Sequence, residues 1–334
     1  MLEASVAILI GFAGLIWSAD QFVAGAAATA KNLGMAPIMI GLTIVAMGTS
    51  APEIIVSISA SLDDAGALAV GNALGSNLAN VGLVLGITAL VTPIPIAPNL
   101  LKREIPLLLI ATIGASYCFY NSALSVTDGI LMLVVLAVIF AILINSKSHQ
   151  PDAEHEADVE HIPDLPQGKA WLLLIVGLLL LIGSSQLLVW GAKFVALELG
   201  VSELIIGLTI VAVGTSLPEL AATVASAIKG HHDIAIGNVV GSNLFNLLAV
   251  TAMPALIAPT TLDSEVFSRD YLSMAGITVL LALMLYGRKL TATFSKPNEV
   301  TTKTNSGIHL GRIAGSVLLF SYAAYYYLLF PATT

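Results

Sequence analysis

The sequence GLTIVAMGTSAPE, from Gly41 to Glu53, places a proline and a glutamate at the end of a run of apolar residues. A second stretch, GLTIVAVGTSLPE from Gly207 to Glu219, is identical to it at 11 of 13 positions. Proline bends or breaks a helix because it removes a backbone hydrogen bond, and a carboxylate inside an apolar membrane helix is costly. The repeated combination therefore indicates a functional break in two membrane helices.

The composition of the chain is that of a membrane protein. Of its 334 residues, 57% are hydrophobic and 10% are charged, which is too little charge to cover the surface of a soluble protein. A helix of about 20 apolar residues crosses a bilayer. We expect an all-α polytopic membrane protein that is not an enzyme. Its sequence predicts ten transmembrane helices, near residues 4–28, 36–61, 67–92, 104–121, 126–144, 170–194, 201–228, 234–258, 269–287 and 308–330.

An acidic polar segment divides the chain into two halves. Residues 145–169 contain proline, several carboxylates and three histidines, and this composition predicts a solvated cytoplasmic linker. A metal-binding or pH-sensing role of His149, His155 and His161 is the alternative. The expected domains are residues 1–144, the linker, and residues 170–334. The net charge of −8 gives no sign of a nucleic-acid partner.

The two halves are copies of one unit. A second pair of matching stretches lies downstream of the first: GNALGSNLAN, which ends at Asn80, and GNVVGSNLFN, which ends at Asn246. The spacing between Asn80 and Asn246 equals the spacing between Glu53 and Glu219, so both motifs share one register without a gap. Each unit holds five predicted helices, and an odd number of crossings inverts the second copy. Inverted repeats with discontinuous helices place the binding site of a transporter near the bilayer midplane.

The basic residues predict the orientation of the chain. If the N-terminus is placed outside and the helices alternate, only Lys193 and Arg269 among the 13 Lys and Arg residues fall outside. Lys and Arg accumulate in cytoplasmic loops. We therefore expect both termini to be non-cytoplasmic, in a multi-pass protein of the plasma or inner membrane.

The proline breaks place backbone oxygens beside hydroxyl and carboxylate groups. Pro52 cannot donate to Gly48, so the carbonyls of residues 46–48 are expected to turn away from the helix. Freed oxygens in hydrocarbon need a partner, and a bound cation is one. Gly75 and Gly241 are expected to allow close approach of the helices. The candidate metal ligands are Ala46, Thr49, Ser50, Glu53, Ser76 and Asn80 in the first copy and Ala212, Thr215, Ser216, Glu219, Ser242 and Asn246 in the second.

The candidate ligands are all oxygen donors. The lack of sulfur and imidazole argues against zinc and copper, whereas Ca²⁺ accepts about 6–8 oxygen ligands in irregular geometry. Small and hydroxyl residues also occur in membrane helices simply to permit tight packing, and a buried glutamate can be a protonated structural group. Neither alternative explains why a carboxylate follows a helix breaker twice, at symmetric positions.

The paired motifs resemble the two α-repeats of the calcium/cation antiporter superfamily, and the chain looks like a prokaryotic sodium/calcium exchanger over nearly its full length. The resemblance implies that Ca²⁺ and Na⁺ are the transported ions, that no cofactor is needed, and that Glu53 and Glu219 are the central ligands. It also implies that the first and sixth helices slide as a pair across a fixed core. The remaining candidate ligands complete the ion sites in the family pattern.

One position departs from that pattern. Many sodium/calcium exchangers carry an aspartate where this chain has Asn246, so the site has two formal negative charges instead of three. Two charges balance one Ca²⁺, two Na⁺ or two protons. A proton-coupled exchanger of Ca²⁺ or another divalent ion such as Mn²⁺ is therefore an alternative, and a cation channel is an alternative from a different class. We expect a monomer surrounded by membrane lipid.

Overall fold

The computed structural model describes residues 1–97, 99–147, 164–200, 212–294 and 308–329. These residues are almost entirely helical, as expected where backbone polar groups must find partners inside hydrocarbon. Most of the predicted linker lies outside the described residues, as does the first part of the predicted seventh helix, residues 201–211.

The first half begins and ends with a long helix and has shorter, interrupted helices between them. Its α-helices are α1 (Leu2–Asn32), α2 (Pro37–Ile40), α3 (Ala46–Thr49), α4 (Ala51–Leu62), α5 (Gly66–Ala79), α6 (Leu85–Val91), α7 (Ile105–Tyr120) and α8 (Val126–Lys147). Three π-helical segments interrupt or precede them: Gly41–Val45, Asn80–Val84 and Leu100–Glu104. Such turns are frequent at functional sites.

The second half repeats this order. Its α-helices are α9 (Gln167–Glu198), α10 (Ala212–Thr215), α11 (Leu217–Ile228), α12 (His232–Phe245), α13 (Ala252–Ile257), α14 (Leu272–Phe294) and α15 (Arg312–Leu329). Its π-helical segments are Asn246–Val250 and Val266–Tyr271. They begin at the repeat equivalents of Asn80 and Leu100, so the register of the repeat extends to the irregular turns.

Six helices in the described part of the chain are long and apolar enough to cross a membrane. A seventh span results if the bent pair Pro37–Thr49 and Ala51–Leu62 is taken as one. Three of the ten predicted helices are not among these spans: α7 has only 16 residues, the helix near 201–228 is described only from residue 212, and α15 (Arg312–Leu329) is not apolar enough to be counted. The polytopic helical fold agrees with the sequence, while the ten-helix inverted arrangement stays a prediction.

The helices α1 and α9 pack backbone against backbone. A Cβ atom placed on Gly177 lies 2.7 Å from the backbone nitrogen of Phe22, and one on Gly191 lies 2.7 Å from the carbonyl oxygen of Ala4. These distances leave no room for a side chain, as is common where membrane helices pack closely. The two helices therefore form one antiparallel unit.

Each helix of this pair is followed by a glycine in a left-handed conformation. Gly34 has a φ of 63° after α1, and Gly200 has a φ of 79° after α9. Glycine adopts this conformation without the strain that a Cβ atom causes, and it commonly ends helices in this way. The two glycines occupy equivalent positions of the repeat, so both copies end their first helix in the same manner.

Two short antiparallel ribbons join the two halves. β1 (Ile94–Ile96) pairs with β4 (Ile308–Leu310), and β2 (Ala123–Leu124) pairs with β3 (Thr260–Thr261). Each ribbon links a connection of the first half to a connection of the second half through main-chain hydrogen bonds. Neither ribbon involves the connections that flank α1 and α9 among the described residues.

The close approach of α1 and α9 gives a test of the packing. We expect Gly177→Ala to destabilise the protein, because the added methyl group meets the Phe22 backbone and forces the helices apart, at a cost of about 1–3 kcal/mol. Gly183→Ala is the matched control on the same helix, since a Cβ atom there meets no described atom within 4 Å. Thermal unfolding in detergent, followed by size-exclusion chromatography, measures both. Equal midpoints for the two variants would contradict the packing.

Candidate ion-binding site

Both predicted helix breaks are present. Ser50 lies between α3 and α4 with φ −82° and ψ 5°, and Ser216 lies between α10 and α11 with φ −89° and ψ 5°. The first pair of half-helices is bent by 43°. Pro52 and Pro218 stand in the first turn of the half-helix that follows, where a missing N–H costs nothing. Each motif therefore ends one half-helix and begins another.

The two glutamates stand in the first turns of α4 and α11. Glu53 and Glu219 are fully buried, with 0% of each residue exposed. Each carboxylate is near a helix N-terminus, which favours negative charge. The hydroxyl of Ser50 donates to Oε1 of Glu219 at 3.1 Å. The break of the first copy therefore contacts the carboxylate of the second, and the structure brings the predicted central ligands together.

Several buried polar atoms of the predicted ligands have no hydrogen-bond partner within the described residues. Leaving such a group unpaired costs about 1–3 kcal/mol, and more for a charged group. A cation in contact with these atoms would remove that cost. The Ser76 hydroxyl interacts with the Glu53 carboxylate, but not with ordinary hydrogen-bond geometry. The unpaired atoms are both carboxylate oxygens of Glu53, Oε2 of Glu219, Oγ of Ser216 and of Ser242, and both side-chain amide atoms of Asn80 and of Asn246.

The donor set is neutral apart from the two carboxylates. Among the described residues, no group of three or more His, Cys, Asp or Glu side chains could hold a metal ion. Any cation at this site must therefore complete its coordination with hydroxyl, amide and carbonyl oxygens. Such ligands suit hard cations and not zinc or copper.

The first break does not release the Ala46 carbonyl as expected. The N–H of Ser50 donates to this carbonyl at 3.0 Å. The backbone departs from helical geometry only at the ψ angle of Ser50, which follows the Ser50 N–H along the chain and so leaves this bond intact. The prediction that Ala46 loses its helical hydrogen bond is therefore wrong. A role of this carbonyl as an ion ligand depends on its second lone pair.

Proline does release other carbonyls, and hydroxyl groups from distant helices satisfy them. Pro218 cannot donate to the carbonyl of Gly214, which instead accepts a hydrogen bond of 2.9 Å from the Ser185 hydroxyl on α9. In the same way, Pro254 cannot donate to the carbonyl of Val250, which accepts a hydrogen bond of 2.9 Å from the Ser57 hydroxyl on α4. These bonds supply the partners that a broken helix needs inside hydrocarbon.

The remaining predicted ligands of the second copy lie on α10 and α12. Ala212 and Thr215 lie on α10, and Ser242 is fully buried on α12. Asn80 and Asn246 each begin a π-helical segment. In each copy, the last predicted ligand along the chain is therefore the first residue of the equivalent π-helical segment.

Glycine allows the close helix approach predicted for the second motif. A Cβ atom on Gly241 lies 2.7 Å from the Cβ atom of Ala46, and one on Gly237 lies 2.7 Å from the carbonyl oxygen of Ile38. The prediction for Gly241 is thus confirmed. At Gly75 a Cβ atom meets no described atom within 4 Å, and most of the segment related by the repeat to 42–46 lies outside the described residues.

Two asparagines outside the predicted ligand set reach the glutamate residues. Nδ2 of Asn72 donates to the Glu53 carbonyl at 3.3 Å, and Nδ2 of Asn238 donates to the Glu219 carbonyl at 3.4 Å. Each directly follows the first glycine of the second motif in its own copy. Their identical position in the repeat was a signal in the sequence that could have identified them.

Two fully buried glutamates at two helix breaks, in a chain with several helices long and apolar enough to cross a membrane, are the features of a polytopic membrane protein with charged groups in its interior. The chain matches the sodium/calcium exchanger protein family over residues 4–145 and 169–330. It belongs to this family of exchangers, and the resemblance predicted from the paired motifs is confirmed.

Known proteins resemble the chain over nearly its full length. It is 42% identical to the protein named "Putative antiporter CaxA" of Alkalimonas amylolytica, over 99% of this chain and 100% of that protein. It is 39% identical to inner membrane protein YrbG of Escherichia coli strain K12, over 86% and 90% of the two chains. A solved structure of the sodium-calcium exchanger NCX_Mj matches with a TM-score of 0.79 and 29% identity, over 97% of each chain.

The Ser185 hydrogen bond gives a test of the second break. We expect Ser185→Ala to lower stability by about 1–3 kcal/mol, because it leaves the carbonyl freed by Pro218 buried without this donor. Ser116→Ala is the control, since the exposed Ser116 hydroxyl bonds only within its own helix in the described structure. The midpoint of thermal unfolding in detergent measures the difference. A Ser185→Ala protein as stable as the Ser116→Ala protein would show that the bond does not matter.

Proposed function

We propose that the protein is a secondary active antiporter that exchanges Ca²⁺ for Na⁺ across the membrane by alternating access. The observation that carries this proposal is the pair of fully buried glutamates, one from each half of the chain, together with predicted ligand atoms that have no partner in the described structure. Membership in the sodium/calcium exchanger family supports it.

Both ions would bind in the same place. Ca²⁺ takes about 6–8 oxygen ligands, and the twelve predicted residues of the two copies can supply that number around Glu53 and Glu219. Na⁺ is also a hard cation and needs the same carboxylates to balance its charge. The two ions therefore compete for one site and exchange with each other.

The buried charge couples the two fluxes. Without a cation, moving the site between the two faces of the membrane carries two unpaired carboxylates through a low-dielectric layer, where uncompensated charge is strongly unfavourable. A bound Ca²⁺ or bound Na⁺ ions neutralise the carboxylates and lower that barrier. The protein then changes access only when loaded, so one ion moves in exchange for the other.

The pair of α1 and α9 is the proposed moving element. Its helices contact each other through their backbones, whereas each reaches the broken helices through side chains. Ser185 on α9 donates to Gly214, and Asp20 on α1 forms an ion pair of 2.6 Å with Lys229 at the end of α11. We propose that these contacts break and re-form as the pair slides. The orientation proposed is that with both termini on the non-cytoplasmic side.

The glutamates give the direct test of the proposed exchange. We expect Glu53→Gln and Glu219→Gln to reduce Na⁺-gradient-driven ⁴⁵Ca²⁺ uptake into liposomes to background, because each removes a charge needed to hold the ion. Glu265→Gln is the matched control: this side chain is 68% exposed and pairs with Arg269 at 2.6 Å, and the variant should transport normally. Retained uptake in either site variant would disprove the proposal. Monodisperse elution in detergent confirms that the variants are folded.

The charge of the site predicts the stoichiometry. Two carboxylates balance one Ca²⁺ or two Na⁺, so we expect exchange of one Ca²⁺ for two Na⁺ without net charge movement. Uptake should therefore be unaffected when a K⁺ gradient with valinomycin imposes a membrane potential. A strong dependence on the potential would exclude this stoichiometry. Ca²⁺ uptake driven by a pH gradient in the absence of Na⁺ would instead indicate proton coupling.

A further inference from the structure

The side chain of Asn238 links the two broken helices. This residue on α12 is fully buried, with 0% exposed. Its Nδ2 donates to Oγ1 of Thr223 at 2.9 Å and to the Glu219 carbonyl at 3.4 Å, both on α11 of the second half. Its Oδ1 lies 3.2 Å from Oγ1 of Thr49, on α3 of the first half. One amide group therefore contacts both copies of the repeat.

The hydrogen bonds fix which way the amide group points. A backbone carbonyl can only accept, so the nitrogen of Asn238 must face Glu219 and the oxygen must face Thr49. The Thr223 hydroxyl accepts the other amide hydrogen, which holds the same orientation. The oxygen is thus an acceptor with a fixed position beside a predicted ion ligand.

The acceptor at Asn238 determines where the proton of Thr49 points. A hydroxyl group has one proton and two lone pairs, and a cation binds a lone pair. Two acceptors lie within hydrogen-bond distance of this hydroxyl, Oδ1 of Asn238 at 3.2 Å and the Ala46 carbonyl at 3.4 Å, and the Glu219 carboxylate lies nearby, bonded to the adjacent Ser50. When a cation occupies the carboxylate, the proton must turn away from it. Asn238 is then the nearer acceptor, and the Ala46 carbonyl already accepts the Ser50 N–H.

We propose that Asn238 is a positioning residue that takes the Thr49 proton and so turns the lone pairs of Thr49 toward the ion. In this role it joins the two half-sites, because it holds Thr49 of the first copy in register with Glu219 of the second. The inference deepens the proposed function and rests on it, since the ion concerned is the transported Ca²⁺. Asn238 acts through Thr49 and is not itself a proposed ligand.

A double-mutant cycle tests this role. We expect Asn238→Leu and Thr49→Val each to weaken Ca²⁺ binding by about tenfold, as for the loss of one buried hydrogen bond or ligand. If Asn238 acts through Thr49, the double variant should bind Ca²⁺ about as weakly as Thr49→Val alone, and not about a hundredfold more weakly than the wild type. Calorimetric titration of the full-length protein in detergent with CaCl₂ measures all four affinities. The maximal rate of uptake at saturating Ca²⁺ should fall much less than the affinity.

Further variants separate positioning from a general loss of structure. Asn238→Asp keeps the volume, and a neutral carboxylic acid keeps one acceptor and one donor, so it should recover most of the affinity lost in Asn238→Leu. Thr223→Val removes one hydrogen bond that orients the amide and should weaken Ca²⁺ binding less than Asn238→Leu does. This loss of affinity should not add to the loss caused by Thr49→Val. If Asn238→Leu does not fold, Thr223→Val takes its place in the double-mutant cycle with Thr49→Val. Thr43→Val is the control for Thr49→Val, because the Thr43 hydroxyl bonds to Met39 of its own helix.

The outcomes distinguish this inference from the proposed exchange. The positioning role is overturned if the losses of Ca²⁺ affinity in the cycle are additive, or if Asn238→Asp binds Ca²⁺ as weakly as Asn238→Leu. In either case, Na⁺-driven Ca²⁺ uptake by the wild type continues to support exchange. A wild type that binds Ca²⁺ but shows no Na⁺-driven uptake overturns the proposed exchange. In that case the binding cycle still decides the role of Asn238, because it does not depend on transport.

Discussion

The structure depends on one electrostatic constraint, which is that two carboxylates share a small volume inside hydrocarbon. Glu53 and Glu219 are both fully buried, so the surrounding helices must provide both helix N-termini and neutral oxygen donors. The breaks at Ser50 and Ser216 provide the N-termini. The second motif provides hydroxyl and amide groups from the neighbouring helices, and glycine lets those helices approach.

The duplicated unit is not used symmetrically. Ser50 donates to the Glu219 carboxylate, whereas the hydroxyl of Ser216 has no hydrogen-bond partner in the described part of the chain. The proline-freed carbonyl of Gly214 is capped by Ser185, but the equivalent position of the first copy holds Ala19, which has no hydroxyl group. The two copies of the motif therefore differ in which of their polar groups are paired.

Local chemistry made part of this site predictable from the sequence. Proline predicts the helix breaks, and the apolar residues around each glutamate predict that the carboxylate is buried. Both patterns span only a few neighbouring residues of the sequence. The contact between Thr49 and Asn238 could not be predicted in this way, because it joins residues that are distant in sequence and meet only after the two halves pack. The prediction that the Ala46 carbonyl is released was wrong, because the backbone turns at the ψ angle of Ser50 and the Ser50 N–H still donates to Ala46. The ribbons are too short to give a strand pattern in the sequence.

The glycines that follow α1 and α9 have a mechanical consequence. Gly34 and Gly200 hold left-handed backbone conformations, and the two ribbons tie together other connections of the chain. The ribbons thus connect the two halves at two places, whereas α1 and α9 are each followed by a glycine that has no side chain to obstruct backbone rotation. For the sliding motion proposed above, backbone rotation at these two glycines would let α1 and α9 move while the broken helices keep their shape.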